Sequence, residues 1–136
     1  MSTMSTDPKP VPHATPESQP YWDGAAEGRL RLQRCAACGL VRHYPQLVCA
    51  KCYSLEVDWI DASGRGTVHS WTVAHHAFHP AFKADLPYTL VTVDLEEGPR
   101  AMGRFATGPA LRIGLPVTVS FPKNEQGVAL PVFIAV

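Results

Sequence analysis

The stretch that decides the fold is CAACGLVRHYPQLVCAKC, residues 35–52. It holds all four cysteines of the chain, as Cys35-x-x-Cys38 and Cys49-x-x-Cys52 with ten residues between the pairs. Two residues between cysteines let a tight knuckle aim both sulfurs at one ion, and two knuckles on adjacent hairpins complete a tetrahedron. Zinc accepts four thiolates in that geometry, at ~2.3 Å each. Gly39 follows the first pair, where a knuckle often needs positive φ; Tyr53 holds the matching place after the second and suits it less well. Rubredoxin-type iron uses the same ligands, so spacing alone leaves iron open. A thioredoxin-like centre needs one such pair on a βαβ frame, and two pairs argue against it. A four-thiolate site has no open position for water, so the metal is expected to be structural. Its formal charge of −2 is within reach of Arg34, Arg42 and Lys51, which are expected to be ordinary solvated surface.

The rest of the chain sets the context for that module. The sequence has 136 residues, 46% hydrophobic and 18% charged, which suits one compact domain with a small module attached. Net charge is zero, from 12 basic and 12 acidic residues. Phosphate binding needs clustered Lys and Arg, and here they are scattered, so nucleic acid is disfavoured as a partner. The first twenty residues contain five prolines and no apolar run of signal-peptide type. No stretch approaches the ~18 apolar residues of a membrane span. The expectation is therefore the cytoplasm, where cysteines more often bind metal than pair as disulfides.

Upstream of the cysteines, residues 1–17 read as a flexible Pro-rich tail, and residues 18–34 as a helix and a lead-in strand. The helix covers 20–28, with Ser18 as cap, Pro20 in the first turn and Gly28 as stop; Gly24 weakens it. Leu30 and Leu32 alternate with Arg29 and Arg31 in strand period up to Cys35. The metal module is assigned to residues 35–56.

Downstream, residues 57–136 read as a barrel. Residues 57–78 are rich in β-branched and aromatic side chains, broken by Gly64 and Gly66. Residues 88–107 form strand, turn and strand about Glu96-Glu97-Gly98-Pro99. Residues 107–114 leave room for one helical turn, 116–121 alternate as a strand, 123–127 form a polar turn, and 128–136 a last strand. Five short strands without a long helix predict a mainly β protein with a five-stranded Greek-key barrel of OB type; an SH3-like barrel is the alternative.

Taken in order, YWDG, RLRLQRC-x-x-CG, the second C-x-x-C, SGRGTVHSWTV, PYTLVTVDLEEGPR and RIGLPVTVSF resemble an acyl-CoA-associated family. That family joins an N-terminal helix, a rubredoxin-like zinc ribbon and a C-terminal OB fold. The likeness runs over residues 20–134. It implies an accessory subunit that associates with thiolase-, aldolase- or hydratase-like enzymes of acyl-CoA and lipid metabolism, with an OB part that docks on the enzyme and helps receive the CoA thioester. It brings no catalytic set; only Cys35, Cys38, Cys49 and Cys52 carry over, as metal ligands. Tyr53 and the pair His75-His76 are the departures.

The remaining residues offer no complete catalytic constellation. His75 and His79 would lie ~13 Å apart on one strand face, too far for one ion without a bend; with His76 they are expected to be a polar strand end. Glu96 and Glu97 sit in an exposed turn, and Ser63 and Ser70 lack a triad context. Trp59 and Trp71 are expected in the core. Tyr21 and Trp22 are candidates to line a groove between helix and ribbon, and Phe78 and Phe82 to form an exposed pair for a partner or an acyl chain. The rival functions are a single-stranded nucleic-acid binder, which needs a basic groove with stacking aromatics, and an enzyme acting alone on an acyl thioester.

Overall fold

The computed structural model describes residues 8–106 and 110–136. Residues 1–7 of the expected tail and residues 107–109 of the expected helical turn lie outside it.

Helix α1 spans Gln19–Ala26, with Pro20 in its first turn. Ser18 stands at the N-cap without a side-chain bond to the helix. Its hydroxyl instead accepts from the Thr15 amide at 2.9 Å, closing a turn before the helix. Gly28 adopts φ +77°, and the amides of Gly28 and Arg29 bond back to the carbonyls of Ala25 and Gly24. That is the Schellman ending that a C′ glycine permits. Gly24 has a packing reason: a Cβ there would stand 2.8 Å from the Arg31 side chain.

The chain then builds a three-stranded sheet of β1 (Arg31–Cys35), β2 (Val41–Arg42) and β3 (Val57–Asp61), in the order β2-β1-β3. Residues 57–61 thus pair with β1 over its whole length and belong to the ribbon's sheet; the barrel begins at Arg65. The turn at 62–64 separates the two, with Gly64 at φ +82°.

The barrel comprises β4 (Arg65–Ala74), β5 (Tyr88–Leu95), β6 (Arg100–Phe105), β7 (Pro116–Ser120) and β8 (Val132–Ala135). It closes in the order β4-β5-β6-β8-β7 and back to β4, antiparallel throughout except for the β6–β8 pair. This Greek-key closure is the OB fold and sets aside the SH3-like alternative. Residues 110–114, the described part of the expected helical turn, form a turn with no helix. A short 3-10 helix, Pro80–Asp85, bridges β4 and β5.

Inward positions of the barrel strands follow the period of two: Val91, Val93 and Leu95 of β5, Val117 of β7 and Phe133 of β8 are buried. Tyr21, Leu30 and Leu32 join the same cluster, so ribbon and barrel share one core. Trp22, Trp59 and Phe121 pack against it, half-buried. Trp71 corrects its expectation. It is 41% exposed, on the part of β4 that runs on past its pairing with β7.

Candidate metal centre and the surfaces around it

The two knuckles have the same backbone plan. The Cys35 amide bonds to the Leu40 carbonyl and the Gly39 amide returns to the Cys35 carbonyl. Likewise the Cys49 amide bonds to the Ser54 carbonyl and the Tyr53 amide returns to the Cys49 carbonyl. Gly39 has φ +79° and Tyr53 φ +62°, so the tyrosine accepts the left-handed conformation that glycine takes in the first knuckle. Its side chain is 76% exposed and contributes little in return.

These turns bring all four sulfurs within 4.8 Å of one another. Cys35 and Cys52 Sγ are 3.5 Å apart, and Cys38 and Cys49 Sγ 3.6 Å. A tetrahedron of ~2.3 Å metal–sulfur bonds has edges of about 3.8 Å, so the residues present fit one metal ion. The amide of Cys38 points at Cys35 Sγ and that of Lys51 at Cys49 Sγ. The Cys38 amide lowers the Cys35 thiol below its ordinary range. The amides of Cys52 and Lys51 bring Cys49 down to about 6 against the opposing effect of burial. The Ser54 amide would lower Cys52 as well, but the other three sulfurs and burial outweigh it and push that thiol up to about 12. Four sulfurs this close do not all ionise by themselves; a cation at their centre removes the conflict. Zinc bound here would neutralise and brace the knuckles without redox chemistry.

Of the three basic residues near the site, Arg34 and Lys51 are exposed as expected. Arg42 is not: it is 7% exposed. Its Nε donates to Gln33 Oε1 at 2.8 Å, its Nη2 to the Gln46 carbonyl, and the Gln46 amide also donates to Gln33 Oε1. Gln33 sits opposite Arg42 in the ladder, and β1 is the central strand, so both of its flanks are covered. Gln33, on the polar face that alternation gives β1, is thus sealed by a buried hydrogen-bond brace. His43, next along, stacks near Tyr21 and Tyr44 with ring centroids 5.3 and 3.9 Å away. Burial lowers its pKa to about 4.

The four aromatic candidates do not form one surface. Tyr21 is 6% exposed and packs edge-on to Trp22 and Phe121; burial raises its hydroxyl pKa. It is a core residue, so the groove expected beside the helix has Trp22 alone. Phe78 is 96% exposed. Phe82 instead turns inward beneath Lys9 and Arg104, at 5.5 and 6.0 Å from its ring. His75 and His76 lie in the loop after β4, and His79 caps the 3-10 helix by accepting from the Ala81 amide at 3.1 Å. Glu96 is more than a solvated turn charge, since it accepts from Ser63 Oγ at 2.9 Å and from Arg65 Nε at 3.0 Å. Glu97 accepts from the Ser63 amide, so the two turns are tied together.

Phe82 belongs to a cleft of about 350 Å³ with Lys9, Arg104, Lys123, Leu130 and Pro131 among its walls. Asp85 Oδ2 accepts from Lys9 Nζ at 2.7 Å and from Arg104 Nη2 at 2.9 Å. Burial alone would raise this carboxyl; the two hydrogen bonds and charges outweigh it and hold it below its ordinary range. Arg104 also lies 4.2 Å over the Tyr88 ring. The cleft therefore combines apolar walls with the cationic side chains of Lys9, Arg104 and Lys123, the first two paired with Asp85. Residues 9, 82, 104 and 123 are far apart in sequence; the barrel brings the last three together, and the ion pair with Asp85 adds Lys9.

The comparisons with known proteins agree with this construction. Residues 22–58 match the model of the ChsH2 rubredoxin-like zinc ribbon domain, and residues 59–122 that of the ChsH2 C-terminal OB-fold domain. A probable enoyl-CoA hydratase alpha subunit of Thermomonospora curvata is 36% identical over 92% of this chain and 39% of its own length. The chain therefore spans well under half of that relative. A DUF35 domain-containing scaffold protein of Methanocaldococcus jannaschii is 36% identical over 68% of this chain and 67% of its own. Among solved structures, a chain of the Ltp2-ChsH2(DUF35) aldolase superposes with TM-score 0.82 and 35% identity, covering 92% of this chain and 98% of that one.

Proposed function

Because the chain belongs to the DUF35 family, with the zinc ribbon and OB fold of ChsH2, we propose that it is a non-catalytic accessory subunit of an acyl-CoA-handling enzyme of hydratase, aldolase or thiolase type. The observation that carries this reading is the closed four-cysteine centre, which has no position for substrate, in a chain whose Ser63–Glu96 pair lies in an exposed turn with the carboxylate held by Arg65. The names of its relatives point the same way: one is a hydratase subunit, one a scaffold, and one part of a two-component aldolase.

The metal is zinc in this reading, held by Cys35, Cys38, Cys49 and Cys52, and the chain works in the reducing cytoplasm. The cleft at Phe82, apolar within and cationic at Lys9, Arg104 and Lys123, suits the phosphate-bearing thioester itself. Affinity purification of the tagged chain from its native host, followed by mass spectrometry, tests the proposal. The expected result is a stoichiometric acyl-CoA enzyme in the eluate; recovery of none would count against it.

A further inference from the structure

The outer edge of β4 is left open beyond its base. Strand β7 pairs with β4 only at Arg65–Thr67. Two further bonds follow at Val68, whose amide donates to the Leu115 carbonyl at 2.9 Å and whose carbonyl accepts from the Gly114 amide at 2.8 Å. The other flank of β4 stays paired with β5 through Ala74, with a bulge between Val68 and Ser70.

The direction of each backbone group past the bulge follows from the ladder. Arg65 turns its carbonyl towards β5, where it accepts from the Glu96 amide, whereas Val68 turns both groups away. Bonding groups alternate along an antiparallel pair, and a bulge adds one residue to the count. Hence Ser70, Thr72 and Ala74, opposite Thr92, Leu90 and Tyr88, bond to β5. Trp71 and Val73 present two amides and two carbonyls to the open edge, and none has a backbone partner among the described residues.

This edge also lacks the usual protection. Exposed edges are commonly guarded by charge or proline. Residues 70–74 read SWTVA and contain neither. Trp71 and Val73 are 41% and 43% exposed on one face, and Ser70 and Thr72 are exposed on the other.

We propose that the edge of β4 from Ser70 to Ala74 is where the partner enzyme adds an extended segment as one more strand, an inference that rests on the accessory-subunit reading above. Strand addition supplies the missing backbone partners, and side-chain alternation sets the specificity. The incoming segment is uncharged. It places bulky apolar side chains beside Trp71 and Val73, small or hydroxyl side chains beside Ser70 and Thr72, and no proline where its amides meet the edge. A second copy of this chain fits less well. Two-fold pairing about Thr72 sets residue 76 of one copy beside Val68 of the other, whose edge groups Gly114 and Leu115 already occupy.

Amide hydrogen exchange of the chain alone and in complex with the co-purified acyl-CoA enzyme tests this. The expected result is that the Trp71 and Val73 amides slow at least about tenfold on complex formation. Val73→Pro removes an outward-facing amide and leaves the ladder to β5 intact; it should lose the enzyme while keeping its metal, and Val73→Thr should keep both. A complex in which these amides exchange as in the free chain would overturn the inference and leave the accessory role standing. Protection that rises with the concentration of the chain alone would assign the edge to a second copy instead. Failure to recover any acyl-CoA enzyme would sink both readings.

Discussion

Tyr53 is the one non-glycine residue with positive φ among the described residues. It stands where the first knuckle has Gly39, in a conformation that costs an L-residue about 1–2 kcal/mol. Its exposed ring recovers little of that. Tyr53→Gly is therefore expected to raise stability by about 0.5–1 kcal/mol, after the added freedom of the unfolded chain is set against the relieved strain. Denaturant midpoints of the metal-loaded proteins check it, and a lowered midpoint would show that the ring has a use this structure does not reveal. His43 carries a prediction of pH dependence. Unfolded, its imidazole takes a proton near 6.5; folded, burial delays that to about 4. The unfolded state thus binds more protons between these values, and stability falls as pH drops from 6.5 to 4, by about 3 kcal/mol in all, then levels off. His43→Phe should remove that part of the slope. Acid protonates the cysteines in both proteins, so the difference between their pH–stability curves is the quantity to compare; identical curves would contradict it.

At the scale of elements, the ribbon depends on its metal and the barrel on its glycines. Cys49→Ser removes a ligand that is fully buried, and structural zinc contributes on the order of 10 kcal/mol to such modules. The variant should lose bound metal, by elemental analysis, and the protected amides of β1 and β3. Gly66 faces β5 so closely that a Cβ would lie 2.4 Å from the Asp94 carbonyl oxygen. Gly66→Ala should cost about 1–3 kcal/mol in chemical unfolding. Much of this architecture is legible in the sequence, because knuckles, turns and period-two strands are local signals. Cys-x-x-Cys spacing, the Gly28 stop and the Gly98 turn each act within a few residues. What stays hidden depends on pairing across the chain. Alternation puts Gln33 on the face of Arg29 and Arg31, yet β2 and β3 cover both flanks of β1 and Gln33 is buried against Arg42. Trp71 looks like core by residue type, and only the short reach of β7 leaves it bare. Phe78 and Phe82 are four residues apart, but the 3-10 helix turns one out and the other under Lys9 and Arg104.

Across the whole molecule, Tyr21 of the helix, Leu30 and Leu32 ahead of the knuckles, and Phe133 of the last strand meet in one core. Tyr44 strengthens the join: its hydroxyl accepts from the Met102 amide of β6 at 3.0 Å. The four-cysteine centre is therefore joined to the barrel through one continuous core, and the Phe82 cleft and the β4 edge are open features of that platform. A closed four-cysteine site on a platform with one shared core suits a part that positions other molecules. The most direct test of that claim is turnover of an acyl-CoA substrate by three samples: the purified chain, the co-purified enzyme stripped of it, and the two recombined. The account predicts no turnover by the chain alone and recovery of the stripped enzyme's activity on adding it back. Turnover of the thioester by the chain alone would contradict it.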